Sequence, residues 1–373
     1  MRVFFDKSLV GSSKSFVWDD GSIHIDDVLA DWHFSASDKR HMSIRAASEA
    51  AGCNVVVTPR KPCAAFWKKH DQHPAWHRIL SRHEMTSHLQ TQVGKVIEFL
   101  QDEGNAYYTN QFQVQQHLLD MLQPCKALRD VEEHGIKLDR QGYCSVPVYD
   151  NISSATGRMS VTDGPRILTM PREQRRAFTS RWGADGALLE IDYNALELRV
   201  LAWVQDLQID LEDAYMWISK RIAKNDAPRH VIKEATIAAM YGMSRKNFAL
   251  RYQDMPDAVE LYESVRDVLG ITPLDKQLST GPLKNASGRR LTDTTARISH
   301  YIQSTAVDVA CDGFASLADT IPEIVPCFII HDAFVVDVHK DHMDLVTKRC
   351  NAGLHVGMIN RSLPVRCRRF GSE

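Results

Sequence analysis

The chain has 373 residues, 44% of them hydrophobic and 25% charged, which excludes a disordered or fibrous protein and leaves room for two or three packed units. Its formal charge of -2 provides no global basic field, so nucleic-acid binding would have to come from local clusters: Arg172/Arg175/Arg176, Arg289/Arg290 or Arg366/Arg368/Arg369. Each cluster alone reads as solvated surface. Eight scattered cysteines without a Cys-x-x-Cys pair, and charges where a signal peptide would be apolar, point to a reduced cytoplasmic setting. No apolar run nears the ~20 residues of a membrane span.

In chain order, residues 1–75 mix short apolar runs such as Val3-Phe4-Phe5 and Val55-Val56-Val57 with Gly, Ser and Pro, which predicts a small α/β region carrying no readable motif. From 76 to about 128 the spacing turns helical: Leu89, Val93, Val96, Ile97 and Leu100, then Val114, Leu118 and Leu122 before Pro124, a pair of amphipathic helices. His70, His73, His77, His83 and His88 crowd this neighbourhood. His83 and His88 are one residue too far apart for the helical zinc-protease pattern, so the stretch reads as a solvated or nucleic-acid-facing helix. Turns and short strands follow to about 187. Asp130-Val131-Glu132 has the spacing of an exonuclease carboxylate pair but sits in a helical, turn-bound context and reads as surface charge.

Two apolar runs end on carboxylates. Leu188-Leu189-Glu190-Ile191 leads to Asp192, and Phe328-Ile329-Ile330 with Phe334-Val335-Val336 form the arms of a tight hairpin around His331 and Asp332. Either aspartate alone would be read as a turn cap. Brought together at a sheet rim they would repel unless divalent cations lay between them, and paired Mg²⁺ ions ~3.5–4 Å apart are a common clamp for phosphoryl transfer. Between these runs lies a helical region with Arg229, Lys233, Ile237 and Tyr241 four apart, one slowly drifting stripe with two cations at its N-terminal end.

In order, Leu188–Ala202, Arg229–Gly242 and Ile329–Val336 resemble motifs A, B and C of the family A (DNA polymerase I-like) nucleotidyltransferases. Thr156-Gly157-Arg158-Met159-Ser160 resembles that family's Thr-Gly-Arg-Leu-Ser. The resemblance covers about residues 127–373 and implies an α+β right-hand polymerase fold with an antiparallel palm sheet, helical fingers and a reduced helical thumb. The divisions it implies are 1–75 an N-terminal region, 76–130 thumb-like, 131–202 palm, 203–290 fingers and 291–373 palm again.

The same resemblance implies the site. Asp192, Asp332 and the Tyr193 backbone carbonyl would hold two Mg²⁺ ions, with Mn²⁺ able to substitute. Lys233 would bind the triphosphate and donate a proton to pyrophosphate, and Arg229 would bind the terminal phosphate. Ile237 and Tyr241 would face base and sugar, and Glu197, in contact with Tyr241, would exclude a 2′-hydroxyl. Arg158, Gln303, His331, Arg199 and Arg289 would meet the primer-template. A minor-groove donor there can test pair shape without reading sequence.

The chain departs from the family pattern in several places. Ile237 replaces an aromatic residue, Ala238 a glycine, Ala333 the second acidic residue of motif C, and Ser299 an asparagine. The implied activity is template-directed extension of a primer 3′-hydroxyl with dNTPs, without proofreading, at low processivity or with a replisome partner, and without a membrane. Two rivals stand beside it: a relaxed polymerase accepting lesions, ribonucleotides or untemplated addition, and a catalytically silent primer-template-binding subunit.

Overall fold

A computed structural model describes the four short N-terminal strands, residues 95 and 98, and residues 101–372 apart from 109, 132–133, 152–153, 211–212, 223–226, 256, 292–294 and 296. The chain divides into two compact units, Met1–Gln116 and His117–Glu373.

In the first unit, β1 (Arg2–Phe5), β2 (Phe16–Asp19), β3 (Ser22–His24) and β4 (Trp32–Phe34) form a sheet of order β3-β2-β1-β4. Strand β4 runs parallel to β1, and the other pairs are antiparallel. The histidine-rich stretch lies outside the described residues, and of the first expected amphipathic helix, from Leu89 to Leu100, only Lys95 and Glu98 are described, both helical. Where the second was expected, a 3₁₀ segment (Glu103–Tyr108) precedes α1 (Gln111–Asp120). The rings of Tyr107 and Tyr108 meet edge to face at 5.1 Å, and Phe112 stands 6.2 Å from Tyr107.

The second unit is mixed helix and sheet. The short strands β5 (Lys126–Ala127), β6 (Val148–Asp150) and β7 (Ser160–Asp163), helix α2 (Arg172–Arg175) and strand β8 (Phe178–Thr179) lead into β9 (Gly186–Tyr193). Val131 bridges to Ile136 across a turn in which His134 is 3₁₀-helical, and Asp130 accepts from the Leu138 N–H at 2.9 Å.

Six helices follow β9: α3 (Leu196–Val204), α4 (Ala214–Ser219), α5 (Arg229–Met240), α6 (Arg245–Arg251), α7 (Ala258–Val268) and α8 (Ile271–Leu278). They share one core around Trp217, Phe248, Tyr262 and Ile302. Side-chain caps define two of their starts: Asp213 accepts from the Tyr215 and Met216 N–H groups, and Ser244 from that of Asn247.

The long α9 (Arg297–Thr320) returns the chain to the sheet, where β10 (Val325–Ile330) and β11 (Ala333–His339) form the hairpin. After α10 (Met343–Asn351), β12 (Leu354–Val356) pairs with β13 (Arg361–Leu363), and β14 (Val365–Arg369) closes the main sheet. Its order is β10-β11-β9-β14, antiparallel throughout.

Strand β9 is buried along nearly its whole length because both faces are covered. On one face α9 packs through Phe314, 5.2 Å from Tyr193 and 5.0 Å from Phe334. On the other, Leu188, Val335 and Phe328 join a core with Phe178, Ile136 and Ile167. Asp192 shares this second face but lies at its end, beyond that core.

Candidate active site

Two devices place the aspartates. Asp192 precedes the last residue of β9. The chain then turns through Ala195, held in the left-handed region at φ 54°, and enters α3. Buried Arg199 braces the turn, its Nε donating to the Asn194 carbonyl at 2.9 Å. Asp332 lies in the two-residue connection between Ile330 and Ala333, where His331 takes φ 57°, as tight hairpin turns commonly demand. Register puts Ala333 opposite Asp192, and the Tyr193 N–H donates to the Asp332 carbonyl at 3.2 Å. The two carboxylates therefore end at adjacent points of one rim.

Their electrostatics follow from that placement. Burial first, and the charge of Asp332 second, push the Asp192 carboxyl up to about 6. Burial also raises Asp332. Two crowded oxygen donors that resist ionisation together suit a hard divalent cation. Among the described residues no cluster of three or more metal-binding side chains occurs, so a cation here would take further ligands from backbone oxygen, substrate phosphate and water.

A cleft opens against the rim, lined by Arg158, Glu197, Tyr215, Ile237, Tyr241, His331 and Asp332. Glu197, in the first turn of α3, accepts from the Arg158 guanidinium and from the Tyr241 hydroxyl. Burial and the hydrogen bond to Glu197 raise the Tyr241 hydroxyl, which is also hydrogen-bonded with Gln303. Gln303 lines a contiguous recess with Arg158, Glu197, His331 and Asp332. Residues from all three principal segments thus share one cleft.

Arg229 and Lys233 are exposed on the first turns of α5 and gather over the ring of Tyr215, at 5.4 and 5.9 Å from its centroid. Arg229 also donates to Asp213, the residue that caps α4. Burial would raise the Asp213 carboxyl, but Arg229 and the two cap N–H groups outweigh it and hold the group below the usual carboxylate range. Asp213 and Tyr215 escaped the sequence reading. The signal available was an aspartate two residues before an aromatic, at the start of the apolar run Met216-Trp217-Ile218.

Two residues expected to touch primer-template are placed otherwise. Arg199 is buried, as the brace just described. Arg289 is 7% exposed and donates to the Asn151 carbonyl at 2.6 Å. A Cβ on Gly157 would come within 1.8 Å of its guanidinium, so Arg289 supports the loop carrying Arg158 from inside. Long cationic side chains can face either way, and local sequence does not say which.

No family model matches the chain. Among solved structures, the POL domain of Pol1 from M. smegmatis, in complex with DNA primer-template and dNTP, is similar at 15% identity and a TM-score of 0.47. The match covers 89% of this chain and 65% of that one, so the chain spans just under two thirds of its length. Among the described residues no helix is long and apolar enough to cross a membrane.

Proposed function

We propose that the second unit is a template-directed DNA polymerase of the family A (DNA polymerase I-like) type, with the right-hand palm and fingers built around the main sheet and the six-helix layer. The observation that carries this reading is the meeting of Asp192 and Asp332 on one rim, with Asp332 lining the cleft together with Glu197 and Tyr241. A bare sheet rim of two repelling carboxylates costs stability and has no use in a packing role.

Bound Mg²⁺ would lower the pKa of the primer 3′-hydroxyl and neutralise the charge of the triphosphate and the leaving pyrophosphate. Asp192, Asp332 and the Tyr193 carbonyl supply hard oxygen donors on one side. Arg229 and Lys233 supply positive charge at the uncapped start of α5, where backbone N–H groups also point outward. Lys233 would give a proton to the departing pyrophosphate. For Arg229 to reach the terminal phosphate, its bond to Asp213 must be exchanged for one to the nucleotide. Positioning and charge neutralisation carry the rate.

Glu197 is held by two donors, and beneath the sugar of a bound nucleotide its carboxylate would exclude a 2′-hydroxyl. Ile237 presents an aliphatic surface to the base. Arg158, Gln303 and His331 stand on the side where the primer terminus would lie, whereas Arg199 and Arg289 act from behind.

Primer extension on a recessed duplex, with wild type beside Asp192→Ala and Asp332→Ala, tests the reading. The expected result is templated dNTP addition by wild type, at least ~10³-fold slower in both variants, and rNTP addition well below dNTP addition. Retained extension in either variant would remove the two-carboxylate mechanism. Wild type that binds DNA without extending it would leave the silent-subunit rival standing.

A further inference from the structure

Strand β14 brings a second set of charges to the carboxylates. Its register against β9 sets Arg366 opposite Asp192 and Arg368 opposite Glu190. Residues directly opposite on antiparallel strands share a face, with Cβ atoms ~4.5–5.5 Å apart. All four side chains therefore lie on the Asp192 face of the sheet.

The two arginines differ in what holds them. Glu190 is 5% exposed, and Arg368 donates to its Oε1 through both Nε, at 3.1 Å, and a terminal nitrogen. That pair is closed. Arg366 is exposed and, although it neighbours a carboxylate, has no ion-pair partner among the described residues. A guanidinium beside an aspartate that makes no bond to it is available to an external anion.

Other cations stand on the same part of the unit, though mixed with acidic groups: Arg175 lies within electrostatic reach of Glu190 first, then of Arg172 and Arg368, and also of His331. Strand β14 is the edge of the main sheet, so nothing in that sheet covers Arg366 from the far side. With a formal charge of -2 for the whole chain, a polyanion must be held by local features of this kind.

We propose that Arg366 contacts a backbone phosphate of the nucleic-acid strand whose end reaches Asp192 and Asp332, and that the Glu190–Arg368 pair fixes the edge strand from which it projects. The inference rests on the polymerase reading and adds an interaction surface on β14 to it. Arg366 acts here as a positioning residue for that strand.

The test is fluorescence anisotropy of a labelled recessed-end duplex in EDTA, across a series of KCl concentrations, for wild type, Arg366→Ala, Arg366→Lys and Arg369→Ala. Arg369 pairs with Leu189 on the opposite face and carries the same charge. Arg366→Ala is expected to bind roughly three- to tenfold more weakly at ~0.1 M salt and to lower the salt slope by about one. Arg366→Lys should recover most of the slope, and Arg369→Ala should match wild type.

Equal behaviour of the two alanine variants would overturn the proposal, as would an Arg366→Ala effect confined to inhibition of extension by free pyrophosphate. Wild-type primer extension, run in parallel, separates the two levels of failure. Extension with an unchanged salt slope defeats Arg366 alone, and absence of both binding and extension defeats the polymerase reading with it.

Discussion

At the scale of single residues, the cost of the candidate site is concentrated in Asp192. Its carboxyl is pushed from the ordinary 3.8 up to about 6, by burial first and Asp332 second. A raised carboxyl binds its proton more tightly in the folded chain than in the unfolded one. The contribution of Asp192 to stability is therefore highest below about pH 4, falls as the pH rises towards 6, and carries its full penalty above that. Asp192→Asn removes the charge while keeping the shape. With the shift discounted for solvent screening at a half-exposed group, the variant should be ~1–2 kcal/mol more stable than wild type at pH 7.5 in EDTA, and equal to it near pH 4. Urea unfolding at the two pH values measures this, and a gap of the same size at both would show that Asp192 carries no such penalty. Glu197 shows the opposite arrangement: Arg158 and Tyr241 both donate to its carboxylate, which fixes its position.

At the scale of elements, α9 meets β9 through Gly313 and Tyr193. A Cβ on Gly313 would fall 1.9 Å from the Tyr193 hydroxyl and 3.2 Å from Val356, and that hydroxyl is buried without a hydrogen-bond partner. In an exposed helix Gly→Ala stabilises by ~1 kcal/mol. Here the clash reverses the sign, and Gly313→Ala should cost ~1–3 kcal/mol. Tyr193→Phe removes an unsatisfied hydroxyl, so it should be neutral or slightly stabilising alone and should relieve most of the Gly313→Ala loss. Thermal denaturation of the four proteins in this cycle decides it, and additive effects would mean that the two side chains do not meet. Legibility at this scale followed the range of the interaction. The hairpin around Asp332 and the stripe on α5 were readable because strand alternation and helix spacing are local. The pairing of β9 with β14, the cap shared by Asp213 and Arg229, and the burial of Arg199 and Arg289 were not. Each depends on segments distant in sequence, and a charged side chain gives no local sign of whether it will face a ligand or a carbonyl.

At the scale of the molecule, the described site residues all belong to the unit that begins at His117, and that unit has its own sheet and its own helical core. The division has a consequence for what the N-terminal sheet can contribute. If the chemistry depends only on Asp192, Asp332 and the cleft that Asp332 shares with Glu197 and Tyr241, residues upstream of α1 can alter how tightly or how long DNA is held, but not the step itself. A fragment of residues 111–373, which keeps α1 whole, should melt cooperatively and add a single dNTP at saturating recessed duplex within about threefold of the full chain, since uniform binding lost elsewhere does not change the rate of the bound complex. Its affinity for the duplex and the number of nucleotides added per encounter are where a loss should appear. Rapid-quench addition under single-turnover conditions, with DNA binding measured separately, distinguishes the two. A folded fragment that binds duplex yet adds nucleotide far more slowly would place part of the reacting geometry in the first unit, and the candidate site as drawn would then be incomplete.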